Sequence, residues 1–244
     1  MQPGMGRRIF EGFAGPQMRN LFGLNLGAEL FYSFVIIVCS LMIYIGTKKL
    51  YELSSYTGIK YFRQSFLFFA IAYFFRSFIK FVILYFGTKG ILEFSPITFG
   101  ATGIITQFLF VYFSSMAIFY LLYSVMWKKW NNKFQKLCLF HGLALALAFI
   151  SILSRNPFIY LGSNILLLLI VAFIVYASYQ HKKIKKKNHN LYFIYFLLSL
   201  FWILNIIDAL IPKFFEGFQL FIYLASTIIF LLILYRVIKK TGAN

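Results

Sequence analysis

Residues 158–187 read FIYLGSNILLLLIVAFIVYASYQHKKIKKK, in which a stretch of 22 uncharged residues, 158–179, is followed after Gln180 and His181 by a lysine-rich run. An α-helix rises about 1.5 Å per residue, so about 20 apolar residues cross the roughly 30 Å of membrane hydrocarbon. A charge-free stretch of this length is typical of a transmembrane helix, and the lysines mark its aqueous boundary. Similar stretches recur along the chain and decide its fold class.

The composition of the whole chain agrees with this interpretation. Of its 244 residues, 61% are hydrophobic and only 12% are charged, about half the charged fraction of an average soluble protein. Too few polar side chains are present to cover a globule in water, which excludes a soluble enzyme and a disordered binding arm. The bilayer is the expected environment.

Seven apolar stretches are long enough to span a membrane. They cover residues 30–46, 65–86, 99–126, 137–153, 158–179, 191–211 and 218–238. We predict an all-α polytopic membrane protein, a bundle of seven transmembrane helices within residues 29–240. Residues 1–28 are expected to form an exposed or interfacial segment with a helix beginning at Pro16, and residues 241–244 a short tail.

The charge distribution predicts the orientation. The net charge of +18 arises from 24 Lys and Arg against six acidic residues. Sixteen of these cations lie in the loops after the first, third and fifth stretches and at the C-terminal end, whereas the alternate loops hold only Lys89, Arg155 and Lys213. Because cytoplasmic loops carry the excess of Lys and Arg, the N-terminus is predicted outside and the C-terminus in the cytoplasm.

This distribution also indicates location and partners. Basic loops next to membrane spans attract anionic lipids, so we expect contact with a lipid bilayer that includes them, and no nucleic acid. The expected location is the cytoplasmic membrane of a prokaryote. Another membrane or cytoplasmic protein is the expected protein partner.

Ionisable side chains within the apolar stretches are the main functional candidates. Arg76 and Lys80 stand one turn apart on the second stretch, and Asp208 of the sixth stretch is at a depth that Lys80 can reach. An arginine at the membrane centre costs about 2.5–3.5 kcal/mol on insertion scales, so it calls for a partner or water. We predict that Arg76, Lys80 and Asp208 form one network in the outer half of the membrane.

Other polar side chains fall in the same half. The predicted ligand-binding set is Arg76, Lys80, Gln107, Asn164, Asn205 and Asp208. Three interpretations of Arg76, Lys80 and Asp208 stay open. They form a structural ion pair between two helices, Lys80 extends toward the membrane surface, or they line a pocket for a ligand or ion. The polar residues are equally compatible with hydrogen bonds between helices, worth about 0.6 kcal/mol each.

We predict no catalytic residues, metal site or cofactor. His141 is the one histidine inside an apolar stretch, which is too few for haem or catalytic zinc. Cys39 and Cys138 are expected to be packing residues, since two separated cysteines do not make a thiolate metal site. The protein is therefore expected not to be an enzyme.

Residues 50–76 suggest a relationship. Their pattern includes Tyr51, the run from Gly58 to Arg63, Phe66 to Phe69, and Phe74 to Arg76. It resembles the first cytoplasmic loop and second span of archaeal seven-span membrane proteins of unknown function, which are similar to the seven-span sensor regions that precede some histidine kinases. The resemblance implies seven helices with the N-terminus outside.

The favoured function is a sensor-like or receptor-like module that binds a small ligand or lipid group from the outer leaflet. Only residues 239–244 follow the last stretch, so signalling is expected to require a separate partner chain. The alternatives are a transporter or channel, and a structural or anchoring subunit of a membrane complex.

Overall fold

The computed structural model of the chain describes residues 16–89, 96–130, 133–153, 157–185, 191–210 and 216–241. These residues form seven α-helices and, in the described ranges, no strand. The helices are α1 (Pro16–Ser54), α2 (Thr57–Lys89), α3 (Pro96–Met126), α4 (Lys133–Leu153), α5 (Pro157–Lys185), α6 (Leu191–Leu210) and α7 (Glu216–Thr241), with a 3-10 turn at Trp127–Lys129 after α3. The prediction of an all-α protein is confirmed.

Local sequence explains where several helices begin. Pro16, Pro96 and Pro157 are the first residues of α1, α3 and α5. A proline costs nothing at this position, because the first N–H groups of a helix have no partner within it and the proline φ angle already suits a helix. The predicted helix start at Pro16 is present, but α1 then continues without a break for 39 residues.

Two residues, Ser55 and Tyr56, connect α1 to α2. Ser55 has φ 49°, a left-handed conformation that commonly ends a helix. Its N–H donates to the carbonyl of Tyr51 at 2.8 Å. So short a link makes α1 and α2 antiparallel neighbours.

Gly58 allows this hairpin to pack closely against the end of α3. A Cβ atom at position 58 would lie 2.9 Å from the carbonyl oxygen of Ser124 and 3.0 Å from Nε1 of Trp127. Backbone atoms cannot turn aside as a flexible side chain can. Glycine is therefore the residue that fits between α2 and α3 at this point.

The helices form a closed ring. α1, α2 and α3 pack in chain order, α4 and α5 both pack on α3, α6 packs between α5 and α7, and α7 returns to α1. In the described part of the chain, α2 and α6 do not pack along each other. A contact between these two helices therefore requires side chains that reach across the interior of the ring.

The centre of the ring is filled by aromatic side chains. Phe66, Phe69, Phe201 and Phe230 are each at most 2% exposed and are named the phenylalanine plug. The ring centroids of Phe201 and Phe230 are 4.7 Å apart, and those of Phe69 and Phe230 are 6.3 Å apart. These side chains carry no polar atom, so the plug offers no hydrogen-bonded path along the bundle axis.

Among the described residues, six helices contain a segment that is long and apolar enough to cross a membrane. These segments are Gly27–Ser54, Ala101–Met126, Gln135–Leu153, Phe158–Gln180, Leu191–Asp208 and Gly217–Lys240. Large apolar side chains such as Ile45 and Leu169 are about two-thirds exposed, at 65% and 66%, as expected for residues that contact lipid. The chain is a multi-pass helical membrane protein. The helix α2, whose apolar stretch carries Arg76 and Lys80, is not one of the six.

Candidate functional site

A largely buried arginine connects three helices across the ring. The side chain of Arg76 on α2 is 17% exposed, and its Nη2 lies 2.9 Å from Oδ2 of Asp208 on α6. Its Nε lies 3.4 Å from Oε1 of Glu29 on α1. Nη1 donates to Oδ1 of Asn205, also on α6, at 3.1 Å. The guanidinium therefore holds α1, α2 and α6 together through charge-assisted hydrogen bonds.

Two tyrosines complete the hydrogen bonds around Asn205. The hydroxyl of Tyr73 donates to Asn205 Oδ1 at 2.8 Å, that of Tyr32 donates to the same atom at 3.4 Å, and the two hydroxyls are 3.1 Å apart. Nδ2 of Asn205 donates to the carbonyl of Phe201 at 2.9 Å, which keeps the amide oxygen turned toward Arg76. The six polar residues are named the Arg76 network: Glu29, Tyr32, Tyr73, Arg76, Asn205 and Asp208.

Aromatic rings surround the guanidinium. Its central carbon lies 5.8 Å from the ring centroid of Tyr32 and 5.7 Å from those of Tyr73 and Phe110. Tyr223 on α7 stacks on Tyr32 with a centroid separation of 5.0 Å. The negative faces of such rings attract a cation. Through Phe110 and Tyr223, α3 and α7 also contribute to the surroundings of Arg76.

The Arg76 network leaves specific hydrogen-bonding groups unused. A guanidinium has five N–H groups, and three of them donate to Glu29, Asn205 and Asp208. Oδ1 of Asp208 is buried and makes no well-formed hydrogen bond to the described residues, although the hydroxyl of Tyr223 interacts with the same carboxylate. Unpaired polar groups of this kind cost about 1–3 kcal/mol. Donors and an acceptor are therefore available side by side, which suits a water molecule or a ligand that can both accept and donate.

The Arg76 network lies at one end of the bundle. Glu29 is in the first turn of the candidate span Gly27–Ser54, and Asp208 is the last residue of Leu191–Asp208. The plug lies next to the network, because the rings of Phe201 and Tyr73 are 5.9 Å apart. The carboxylates of the network are therefore near one membrane boundary, with an apolar barrier on the side of the bundle interior.

The opposite end is basic. There, cations lie over aromatic rings at centroid distances of 4.7–5.9 Å in five pairs: Arg63 on Tyr44, Lys128 on Trp127, Lys136 on Trp130, Arg236 on Phe193 and Lys239 on Tyr235. This surface is named the basic end. Long cationic side chains beside Tyr and Trp are typical of a membrane interface.

The structure brings together three of the six predicted site residues. Arg76, Asn205 and Asp208 are in contact. Asp208, which the sequence placed at a depth that Lys80 can reach, forms its ion pair with Arg76. The backbone of Lys80 belongs to α2, but its side chain lies outside the described part of the structure.

The other two predicted residues lie away from the network. Gln107 is exposed on α3. The amide of Asn164 donates to the carbonyl of Tyr160 in its own helix, while its backbone carbonyl accepts from Nε1 of Trp202 at 3.2 Å. Asn164 thus contributes to the contact between α5 and α6, and neither residue hydrogen-bonds to Arg76 in the described structure.

Glu29, Tyr32 and Tyr73 were not among the predicted site residues. Signals for two of them existed in the sequence: Tyr73 stands one turn from Arg76, and Glu29 is an acid at the start of an apolar stretch. Tyr32 lies one turn after Glu29 and had no signal of its own, because tyrosines are frequent throughout this chain.

The structure describes the surroundings of the histidine inside an apolar stretch and of the two cysteines. Nδ1 of His141 lies 2.7 Å from the hydroxyl of Tyr112 on α3. Cys39 is buried, Cys138 is exposed, and both are free thiols. Within the described residues, no group of three or more His, Cys, Asp or Glu side chains is placed to hold a metal ion.

Comparison with known proteins places the chain in a family. No family model and no solved structure matches it. A protein of Archaeoglobus fulgidus, described as uncharacterized, is 34% identical over 225 residues, which covers 88% of this chain and 93% of the relative. Because the similarity extends over nearly the full length of both proteins, the chain belongs to the same family as this archaeal protein.

Proposed function

We propose that the protein is a sensor-like or receptor-like module of a prokaryotic cytoplasmic membrane, without enzymatic activity. In this proposal, a small polar ligand or lipid group enters from the outer leaflet and binds at the Arg76 network. The seven-span sensor regions that precede some histidine kinases offer the functional analogy. A separate partner chain carries the response.

The unused groups of the Arg76 network carry this proposal. Oδ1 of Asp208 and the two Arg76 N–H groups that make no hydrogen bond to the described residues are held within a cluster that joins α1, α2 and α6. A ligand that binds them changes the contacts of three helices at once. Differential contacts of this kind are what a ligand needs to shift a conformational equilibrium.

A thermal-shift screen with a matched variant tests ligand binding. The purified protein is screened with hydroxy acids, amino acids and polyols, because these carry both donors and acceptors. At about 100 times its Kd, a bound ligand adds about 2.7 kcal/mol, which corresponds to a Tm increase of roughly 5–10 °C for a chain of this size. A variant with Glu29→Gln, Arg76→Leu and Asp208→Leu should fold but lose the shift. An equal shift in this variant would place binding elsewhere and remove the basis of the proposal.

A transporter or channel is the second candidate, because charged residues inside a membrane protein often mark an ion path. The phenylalanine plug favours the sensor, since it places buried apolar rings next to the Arg76 network on the side of the bundle interior. We therefore expect proteoliposomes that contain the protein to show no flux of small ions or solutes above protein-free liposomes. Reproducible flux that Asp208→Leu abolishes would make transport the better explanation.

We further propose seven spans, with α2 as the seventh, the N-terminus outside and the C-terminus in the cytoplasm. Burial of α2 between α1 and α3 supports this, since Arg76 is paired inside the ring and does not face lipid. A reporter that is active only in the cytoplasm should be active when fused after Asn244 and inactive when inserted after Lys89. The reverse pattern would place the Arg76 network in the inner leaflet.

A further inference from the structure

Arg63 is held in a defined position in the groove between α1 and α2. Its Nε donates to the carbonyl oxygen of Tyr44 at 3.0 Å, and its guanidinium carbon lies 4.7 Å from the centroid of the Tyr44 ring. The side chain is partly buried. One hydrogen bond and one ring contact to the same residue restrict the guanidinium, so little further ordering is needed when it binds a ligand.

The charge of Arg63 has no carboxylate partner within the described residues. Its two Nη groups make no hydrogen bond to the described protein groups, so they remain free to donate. A planar guanidinium presents such N–H groups as a fork that matches two oxygens of a phosphate. This arrangement differs from that of Arg76, whose charge is already shared with two acids.

The groove lies at the membrane boundary. Counting about 20 residues along α1 from Gly27, the start of its candidate span, reaches Gly46, and Tyr44 is within one turn of that point. The Nη groups of Arg63 are therefore near the level at which phospholipid headgroups begin. A phosphate group at this level is within reach of the groove.

Two lysines extend the positive surface toward the aqueous side. Lys48 follows Tyr44 by one turn on α1, and Lys60 precedes Arg63 by one turn on α2, so each shares a helix face with a residue of the contact. Both lysines are exposed. Nζ of Lys48 lies 3.8 Å from Oε1 of Glu52, and both side chains are more than half exposed. An ion pair this exposed is weak, so it reduces the local positive charge only slightly.

We propose that Arg63, supported by Lys48 and Lys60, forms a binding site for the phosphate group of an anionic membrane lipid in the groove between α1 and α2. The guanidinium donates to two phosphate oxygens while its Tyr44 contacts stay in place, and the lysines attract the headgroup. This site is independent of the Arg76 network and lies at the other end of the bundle.

Lipid titration of the full-length protein in a neutral detergent tests the site. Short-chain phosphatidylglycerol, phosphatidylcholine and inorganic phosphate are added separately, and the apparent affinity is taken from the thermal shift and from bound lipid in native mass spectra. Arg63→Gln removes the charge, Arg63→Lys keeps the charge without the fork, and Lys239→Gln removes a different cation from the basic end. Each shift is measured against the ligand-free Tm of the same variant, so a stability change alone does not alter the result.

The expected result is preferential binding of phosphatidylglycerol by the wild type. Arg63→Gln should weaken it about tenfold, the usual order for loss of a charge-assisted hydrogen-bonded contact. The affinity of Arg63→Lys should lie between those of the wild type and Arg63→Gln. The affinity of Lys239→Gln should stay within about twofold of the wild type. Stabilisation by inorganic phosphate that depends on Arg63 would assign the site to a free anion, whereas an effect of the lipid alone assigns it to the headgroup. Equal losses in Arg63→Gln and Lys239→Gln, or none in Arg63→Gln, would overturn the proposal, because binding would then follow total charge or another surface.

Discussion

Replacement of Asp208 by leucine is expected to lower the free energy of unfolding by about 3–5 kcal/mol, the usual cost of removing one partner from a buried ion pair. Asp208 accepts the shortest contact of Arg76, at 2.9 Å. Without it, the guanidinium stays in the interior with Glu29 alone, at 3.4 Å. Equilibrium unfolding in mixed detergent measures the loss.

Two further variants show whether the network acts as a unit. The combined Glu29→Gln, Arg76→Leu and Asp208→Leu variant should recover most of the lost stability, because replacing a whole buried charge cluster by apolar or neutral groups is often tolerated. Gln107→Leu, an exposed polar position outside the network, should change stability by no more than about 0.5 kcal/mol. Single effects that simply add in the combined variant would indicate that these charges do not interact.

Phe201→Ala should have the largest effect among apolar substitutions. Phe201 is fully buried, and it contacts both Phe230 of the plug and Tyr73 of the Arg76 network. Truncation of a buried phenylalanine costs about 3–5 kcal/mol in soluble proteins. In lipid the transfer part of that cost is small, because hydrocarbon tails are as apolar as the protein interior. We therefore expect a loss of about 2–3 kcal/mol from the cavity that remains.

Phe34→Ala is the matched control, since Phe34 is 63% exposed on α1. Its ring contacts few protein atoms, so its truncation should cost less than about 1 kcal/mol. Unfolding in the same mixed detergent compares the two. Similar losses for Phe201→Ala and Phe34→Ala would mean that the plug is not the tightly packed centre of the ring.

The sequence alone was enough to predict the seven helices and where they lie along the chain. The bilayer explains why: its thickness requires about 20 apolar residues, and charges or prolines at the ends of such a stretch set its limits. The same counting showed that Arg76 lies too deep to be without a partner. The count of apolar residues did not predict how far α1 extends on both sides of its apolar stretch. A helix that enters water no longer needs an apolar sequence, so its ends leave no such signal.

Only the tertiary structure decided which side chains meet Arg76. Depth along a helix follows from its rise per residue, and by depth alone the amides of Gln107 and Asn164 were as acceptable neighbours of Arg76 as that of Asn205. Rotation about the helix axis and the order of helices in the ring determine the actual contacts. In a soluble helix the apolar face reveals that rotation, but in a helix surrounded by lipid and protein, both faces are apolar. The packing of α1, α2 and α6 around the phenylalanine plug turns Glu29 and Asp208 toward Arg76 and leaves Gln107 on the outside, and that packing depends on contacts between residues far apart in the chain.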